Sequence, residues 1–145
     1  MDIPFHSILV HFPIACIPAA LIFQLLILRY PKIFSPWISL WLLGFAALFS
    51  MFSAVSGELE FSKAGEMNYS TEILLLLRRH ALIGNLVTWG SLIIFMGWLY
   101  LLLKNQDDKR IYKLAFAFLI LLTACVLTAA YLGGKLVWIY GVGIG

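Results

Sequence analysis

Three histidines are the residues of this chain best suited to chemistry. His6 and His11 stand at the start of the first long apolar segment, and His80 opens a later one. Imidazole is a common ligand of haem iron, zinc and copper. Two histidines at the mouths of two helices are therefore the raw material of a cofactor site.

Composition fixes the environment of these histidines. Of the 145 residues, 63% are hydrophobic and 12% are charged, whereas soluble domains are about half apolar and about a quarter charged. We therefore expect an integral membrane protein. No basic run carries interleaved aromatic residues, so the net charge of +3 indicates membrane topology and lipid-surface anchoring, and nucleic-acid binding is excluded.

Four apolar runs are each long enough for a helix to cross a hydrocarbon core about 30 Å thick. The predicted fold is all-α, a single integral membrane four-helix bundle with antiparallel up-down topology over residues 1–145. The spans are predicted at about residues 10–28, 37–57, 80–103 and 111–132. A glycine-rich C-terminal tail, 133–145, follows them, and its glycine pair is expected to let it turn back over the mouth of the bundle.

Small residues at helical spacing predict which faces of the spans point inward. The fourth span presents such a stripe in Ala117, Ala124, Thr128 and Tyr131, and the third in His80, Gly84, Thr88 and Ser91. The spans are expected to pack through Gly44, Ala47, Gly84 and Ala124. These faces either let backbones approach closely or leave room for a flat group between helices, and both alternatives stay open.

The cofactor hypothesis pairs His11 with His80. In an up-down bundle the first and third spans run parallel and can lie diagonally across the core. Two imidazoles at the same depth then supply both axial ligands of a b-type haem. Arg78 and Arg79 are candidates for pairing with the haem propionates. His6 is expected to be peripheral to this site.

Two alternatives remain open. The three histidines, together with Glu58, could hold zinc or copper, although their spacing matches no dedicated metal motif. Alternatively the histidines only hydrogen-bond backbone or loop groups, and the protein is a cofactor-free structural or assembly subunit. The sequence offers no nucleophile with its base, no phosphate-binding glycine loop and no paired carboxylates within a span. We therefore expect no independent enzymatic activity.

Two short motifs at opposite ends of the chain carry a family resemblance. They are Val10-His11-Phe12-Pro13 and residues 131–143, Tyr-Leu-Gly-Gly-Lys-Leu-Val-Trp-Ile-Tyr-Gly-Val-Gly. Together they resemble the domain-of-unknown-function family 2231 of predicted four-helix bacterial membrane proteins, and His80 fits the same pattern. Ser7 stands where the family usually has proline, and Tyr140 where it usually has histidine. The resemblance implies a bacterial inner (plasma) membrane location and no particular activity, so any transfer of site residues rests on the three histidines.

The distribution of lysine and arginine predicts the orientation. Six basic residues fall on the side of the two short loops, and four on the other side, which includes the 58–79 connection. The positive-inside rule therefore places both termini in the periplasm and the three histidines at the outer leaflet. The expected partners are the lipid bilayer and, for a haem carrier, membrane or periplasmic redox proteins or a second copy of the chain.

Cysteine labelling tests this orientation. With Cys16 and Cys125 replaced by alanine, Asn68→Cys is expected to react with a membrane-impermeant maleimide on intact cells, because it lies in the periplasmic connection. Asn105→Cys is expected to react only after the inner membrane is opened. Labelling at position 105 but not at position 68 on intact cells would reverse the assignment.

Overall fold

The chain folds into helices joined by short connections. The computed structural model describes residues 5–67, 69–106 and 108–142, with the backbone alone for Phe5 and residues 63–66. These ranges contain α1 (Phe5–Leu9), α2 (His11–Arg29), α3 (Pro36–Glu66), α4 (Thr71–Lys104) and α5 (Lys109–Trp138), and no strand. The predicted all-α class is confirmed.

Four helical segments are long and apolar enough to cross a membrane. They are His6–Arg29, Pro36–Ser62, Thr71–Lys104 and Lys109–Trp138. The first includes α1, because α1 runs on into α2: the backbone N–H of Val10 donates to the carbonyl of His6, and that of Ile14 to the carbonyl of Val10. This confirms the prediction of a membrane protein with four apolar helices.

The long helices close into a ring around one core. Each packs against the next, and α2 also packs against α5. Thr88 Oγ1 donates to the carbonyl of Ser50 at 3.2 Å, and these two residues lie at similar distances from the short α3–α4 connection, as in antiparallel neighbours. The side chains of Ile17, Leu43 and Leu119 are completely buried at the centre of the ring.

The helices extend beyond the predicted spans at one end of the bundle. We call this end the histidine end; it comprises the start of α1, the α3–α4 connection and the C-terminal part of α5. Helix α3 continues to Glu66 and α4 begins at Thr71, so most of the expected 58–79 connection is helical. Helix α5 continues to Trp138. Gly133 and Gly134 therefore lie inside a helix, and the prediction that they form a turn was wrong.

The inward face of α5 also differs from the prediction. Ala117, Ala124, Thr128 and Tyr131 are exposed, whereas Ala115, Leu119, Leu122, Val126 and Ala129 are buried. The error has a physical cause: lipid is as apolar as a protein core, so small residues alone do not tell the two faces apart. On α4, Thr88 and Ser91 are buried as expected, and so is Ala47 on α3.

Two glycines predicted to lie at helix contacts have different surroundings. A Cβ atom added to Gly44 would lie 2.8 Å from the ring of Phe95 on α4, whereas one added to Gly84 would meet nothing within 4 Å. Only Gly44 therefore marks a close approach of two helices.

This difference predicts the outcome of a matched pair of substitutions. Gly44→Leu should destabilise the protein by about 1–3 kcal/mol, because the new side chain overlaps Phe95 in a packed interface. Gly84→Leu should leave stability nearly unchanged. Thermal unfolding in detergent, followed by circular dichroism, measures both, and equal losses for the two variants would contradict this assignment of contacts.

Candidate functional site

Two histidine rings meet at the histidine end of the bundle. The ring centres of His6 and His80 are 6.2 Å apart, and their planes are nearly perpendicular, at 87°. Both residues are half-buried. One ring comes from α1 and the other from α4, so the pair bridges the two halves of the chain.

His6 is anchored on α3. Its Nδ1 donates to the backbone carbonyl of Ser53 at 2.9 Å and lies 3.3 Å from Ser56 Oγ. The Ser56 hydroxyl donates to the same carbonyl at 3.0 Å. A Cβ atom added to Gly57 would lie 2.8 Å from Cε1 of the His6 ring. The ring therefore fills the space that the missing side chain of Gly57 leaves.

His80 is anchored on α5 in the same way. Its Nδ1 donates to the backbone carbonyl of Ala129 at 3.0 Å. A Cβ atom added to Gly133 would lie 3.0 Å from Cε1 of the His80 ring. In both halves of the chain, a histidine thus fills the space beside a glycine and bonds the carbonyl four residues before that glycine.

These hydrogen bonds fix the tautomer of both rings. A carbonyl oxygen only accepts, so Nδ1 carries the proton in each neutral imidazole and Nε2 carries the lone pair. Metal-binding histidines are typically oriented by such a second hydrogen bond from the ring nitrogen that does not bind the metal. The Nε2 atom of each ring therefore takes no part in the anchoring bonds.

His11 lies apart from this pair. Its side chain is exposed, and its Nδ1 donates to the carbonyl of Ser7 at 2.5 Å. Because helix residues advance by about 100° each, His6 and His11 project from the continuous α1–α2 segment in directions about 140° apart. Hence the structure brings His80 together with His6, which was expected to be peripheral, and not with His11.

The two candidate arginines and Glu58 are exposed. Arg78 lies two residues before His80, about 200° around the helix axis, and therefore on the opposite side of α4. Among the side chains that the structure describes, no group of three or more His, Cys, Asp or Glu residues is placed to share a metal ion. The arrangement of His6, His11, His80 and Glu58 as one metal site is therefore not found within this part of the chain.

A second, smaller core lies at the histidine end. Leu77 and Leu136 are buried there, with Phe61, Tyr69, Ile73, Leu74, Leu76 and Val142 packed against them. The chain turns after α5 at Gly141, whose φ of 64° favours glycine, and the N–H of Val142 bonds the carbonyl of Leu136 at 3.0 Å. This core joins α3, α4 and the end of the chain.

Tyr140 follows α5 and contacts the first turn of α4. Its hydroxyl donates to Glu72 Oε1 at 2.9 Å. That hydrogen bond to a carboxylate raises the pKa of Tyr140 above its ordinary value. The contact is therefore complete at neutral pH and is lost only as the pH rises through that raised pKa, when the phenol ionises.

Sequence reasoning missed the two glycines that hold the histidines. The signal was present: Gly57 and Gly133 each lie in the C-terminal third of the long helix that follows a histidine-bearing helical segment. The same placement of a glycine in both halves of the chain points to the histidine contacts only when the helix that each histidine packs against is known.

The model of a family described as a predicted membrane protein, DUF2231, matches residues 2–145. No curated protein and no solved structure matches the chain.

The anchoring of the rings predicts a selective effect of adding one methyl group. In ¹⁵N-histidine NMR spectra of the detergent-solubilised protein, His6 and His80 should both show the Nδ1–H tautomer. Gly133→Ala should lose this signature for His80 alone, because the methyl group displaces the ring from the Ala129 carbonyl. Gly134→Ala is the control, since a Cβ atom there meets nothing within 4 Å. Identical spectra for the two variants would contradict the arrangement.

Proposed function

The chain belongs to the DUF2231 family of predicted membrane proteins, and we propose that it is a haem b electron carrier in which His6 and His80 would hold the haem. The observation that carries the proposal is the meeting of these two rings, each with its Nδ1–H held by a backbone carbonyl. Bound haem b would supply one-electron redox chemistry, and the protein would supply the two axial nitrogens.

The distance between the rings supports one group held by both histidines. With nitrogen–metal bonds of ~2.0 Å, two imidazoles bound to one metal ion have ring centres about 5–6 Å apart, and the ring centres of His6 and His80 are 6.2 Å apart. His6 and His80 would therefore hold the group between them.

The number of ligands also favours haem over zinc. A zinc ion in a protein takes three or four protein ligands, and the described residues offer no group of three or more candidates. Haem iron needs only two axial ligands, because the porphyrin occupies the other four positions. Two histidines are therefore sufficient for haem and too few for a typical zinc site.

The remaining parts of the proposal concern the surroundings. Of the two arginines, Arg79 is the better candidate for a propionate, because Arg78 lies on the side of α4 opposite His80. We place the protein in the bacterial inner membrane with the histidine end at the periplasmic surface, where a membrane or periplasmic redox protein would exchange electrons with it. A second copy of the chain is the alternative partner.

Optical spectroscopy of three single variants tests the proposal. Purified protein from haem-supplemented cells should give the reduced-minus-oxidised spectrum of a low-spin bis-histidine haem. His6→Ala and His80→Ala should each abolish that spectrum or convert it to high spin, because each removes one axial ligand. His11→Ala, which changes an exposed ring, is the control and should keep the spectrum.

Other outcomes point elsewhere. Loss of the spectrum in His11→Ala but not in His6→Ala would favour the His11–His80 pairing that the sequence suggested. A stoichiometric metal without haem would favour zinc or copper. Protein that contains neither, after expression with haem and metal salts supplied, would refute the cofactor and leave a structural or assembly subunit.

A further inference from the structure

A groove runs along the outside of α4, away from the histidine pair. It encloses about 440 Å³, and its apolar wall includes Phe61 of α3 together with Leu82, Leu86 and Trp89 of α4. Two polar side chains, Arg78 and Asn85, also line it. Apart from Phe61 these residues are exposed, so the groove opens toward the surrounding membrane.

The lining residues follow an order along the helix axis. Arg78 is nearest the histidine end, Asn85 lies about 10 Å deeper and Trp89 about 16 Å deeper, at 1.5 Å per residue. About 20 residues are needed to cross the hydrocarbon core, and counting back from Lys104 at the other end of α4 reaches Asn85. Asn85 is therefore at the edge of the hydrocarbon, and Arg78 is among the headgroups.

We propose that this groove is a binding site for one glycerophospholipid. The Arg78 guanidinium pairs with the lipid phosphate, because a planar fork of N–H donors matches phosphate oxygens. The Asn85 amide donates to an ester carbonyl of the glycerol backbone. One acyl chain lies along Leu86 and Trp89.

The polar side chains of Arg78 and Asn85 favour a phospholipid as the occupant of the groove. An apolar partner helix would satisfy Leu86 and Trp89 but would leave the Arg78 charge and the Asn85 amide facing a surface with no matching group, which is costly near hydrocarbon. A phospholipid places its phosphate, ester and chain at the depths where Arg78, Asn85 and Trp89 occur. An anionic headgroup fits best, since a zwitterionic one brings its own cation to compete with Arg78.

Native mass spectrometry with phosphatidylglycerol tests the site directly. Purified protein in detergent should retain one phosphatidylglycerol, and phosphatidylcholine should bind more weakly. Arg78→Gln should weaken phosphatidylglycerol binding about tenfold, the effect of losing one hydrogen-bonded charge pair. Asn85→Leu should weaken it by a smaller factor while leaving the charge unchanged.

Arg79→Gln is the matched control, because Arg79 is equally exposed and one position away but does not line the groove. It should leave binding within about twofold of the parent. Equal weakening in the Arg78 and Arg79 variants would mean general attraction to positive charge and overturn the site. A parent protein that retains no phosphatidylglycerol would also overturn the lipid site. So would a parent protein that is a dimer and that becomes a monomer in the Arg78→Gln variant. None of these measurements depends on haem.

Discussion

The absence of water around the spans is the constraint on which this fold depends. Between helices in lipid there is no hydrophobic driving force, so shape and hydrogen bonds must decide which surfaces meet. Side chains supply one bond across most helix pairs: Thr88 to the carbonyl of Ser50 joins α4 to α3, and Gln24 to the carbonyl of Tyr112, at 2.9 Å, joins α2 to α5. The completely buried Gln24 thus closes the ring at the end opposite the histidines.

The two histidines make the corresponding bonds at their own end. His6 joins α1 to the carbonyl of Ser53 on α3, and His80 joins α4 to the carbonyl of Ala129 on α5. Each ring can approach its carbonyl only because a glycine stands one turn further along the same helix. The missing side chain at Gly57 or Gly133 therefore lets the ring come close enough to form the hydrogen bond. That hydrogen bond in turn fixes the direction in which the ring points. A methyl group at either glycine would disturb both.

The composition and the lengths of the apolar runs were enough to predict the number of membrane helices. Four apolar runs of sufficient length predicted four membrane helices, and the structure has four helical segments long and apolar enough to cross a membrane. The sequence did not predict which way α5 faces. Ala124 and Ala129 are both small and both apolar, yet the first faces outward and the second accepts the bond from His80. Lipid and the protein interior are both apolar and accept the same residues. Which face of a helix points inward is therefore determined by its contacts with other helices.

The choice between His6 and His11 illustrates the same limit. The predicted first span began at about residue 10 and left His6 outside it. Instead α1 runs into α2 through backbone bonds across Val10. On one continuous helical segment two residues five apart cannot share a face. A difference of a few residues in where the first helix begins therefore determines which of the two histidines lies next to His80.

The repetition of the histidine arrangement bears on the choice between a structural and a cofactor role. A histidine that only joins two helices needs one carbonyl and one glycine, and has no reason to lie beside a second histidine held in the same way. Here the two anchored rings come within 6.2 Å of each other, with the Nε2 lone pair of each left outside the anchoring bonds. In the neutral form of each ring this nitrogen accepts a hydrogen bond and does not donate one. A metal-containing group held by both rings, as proposed above, would give each lone pair a partner.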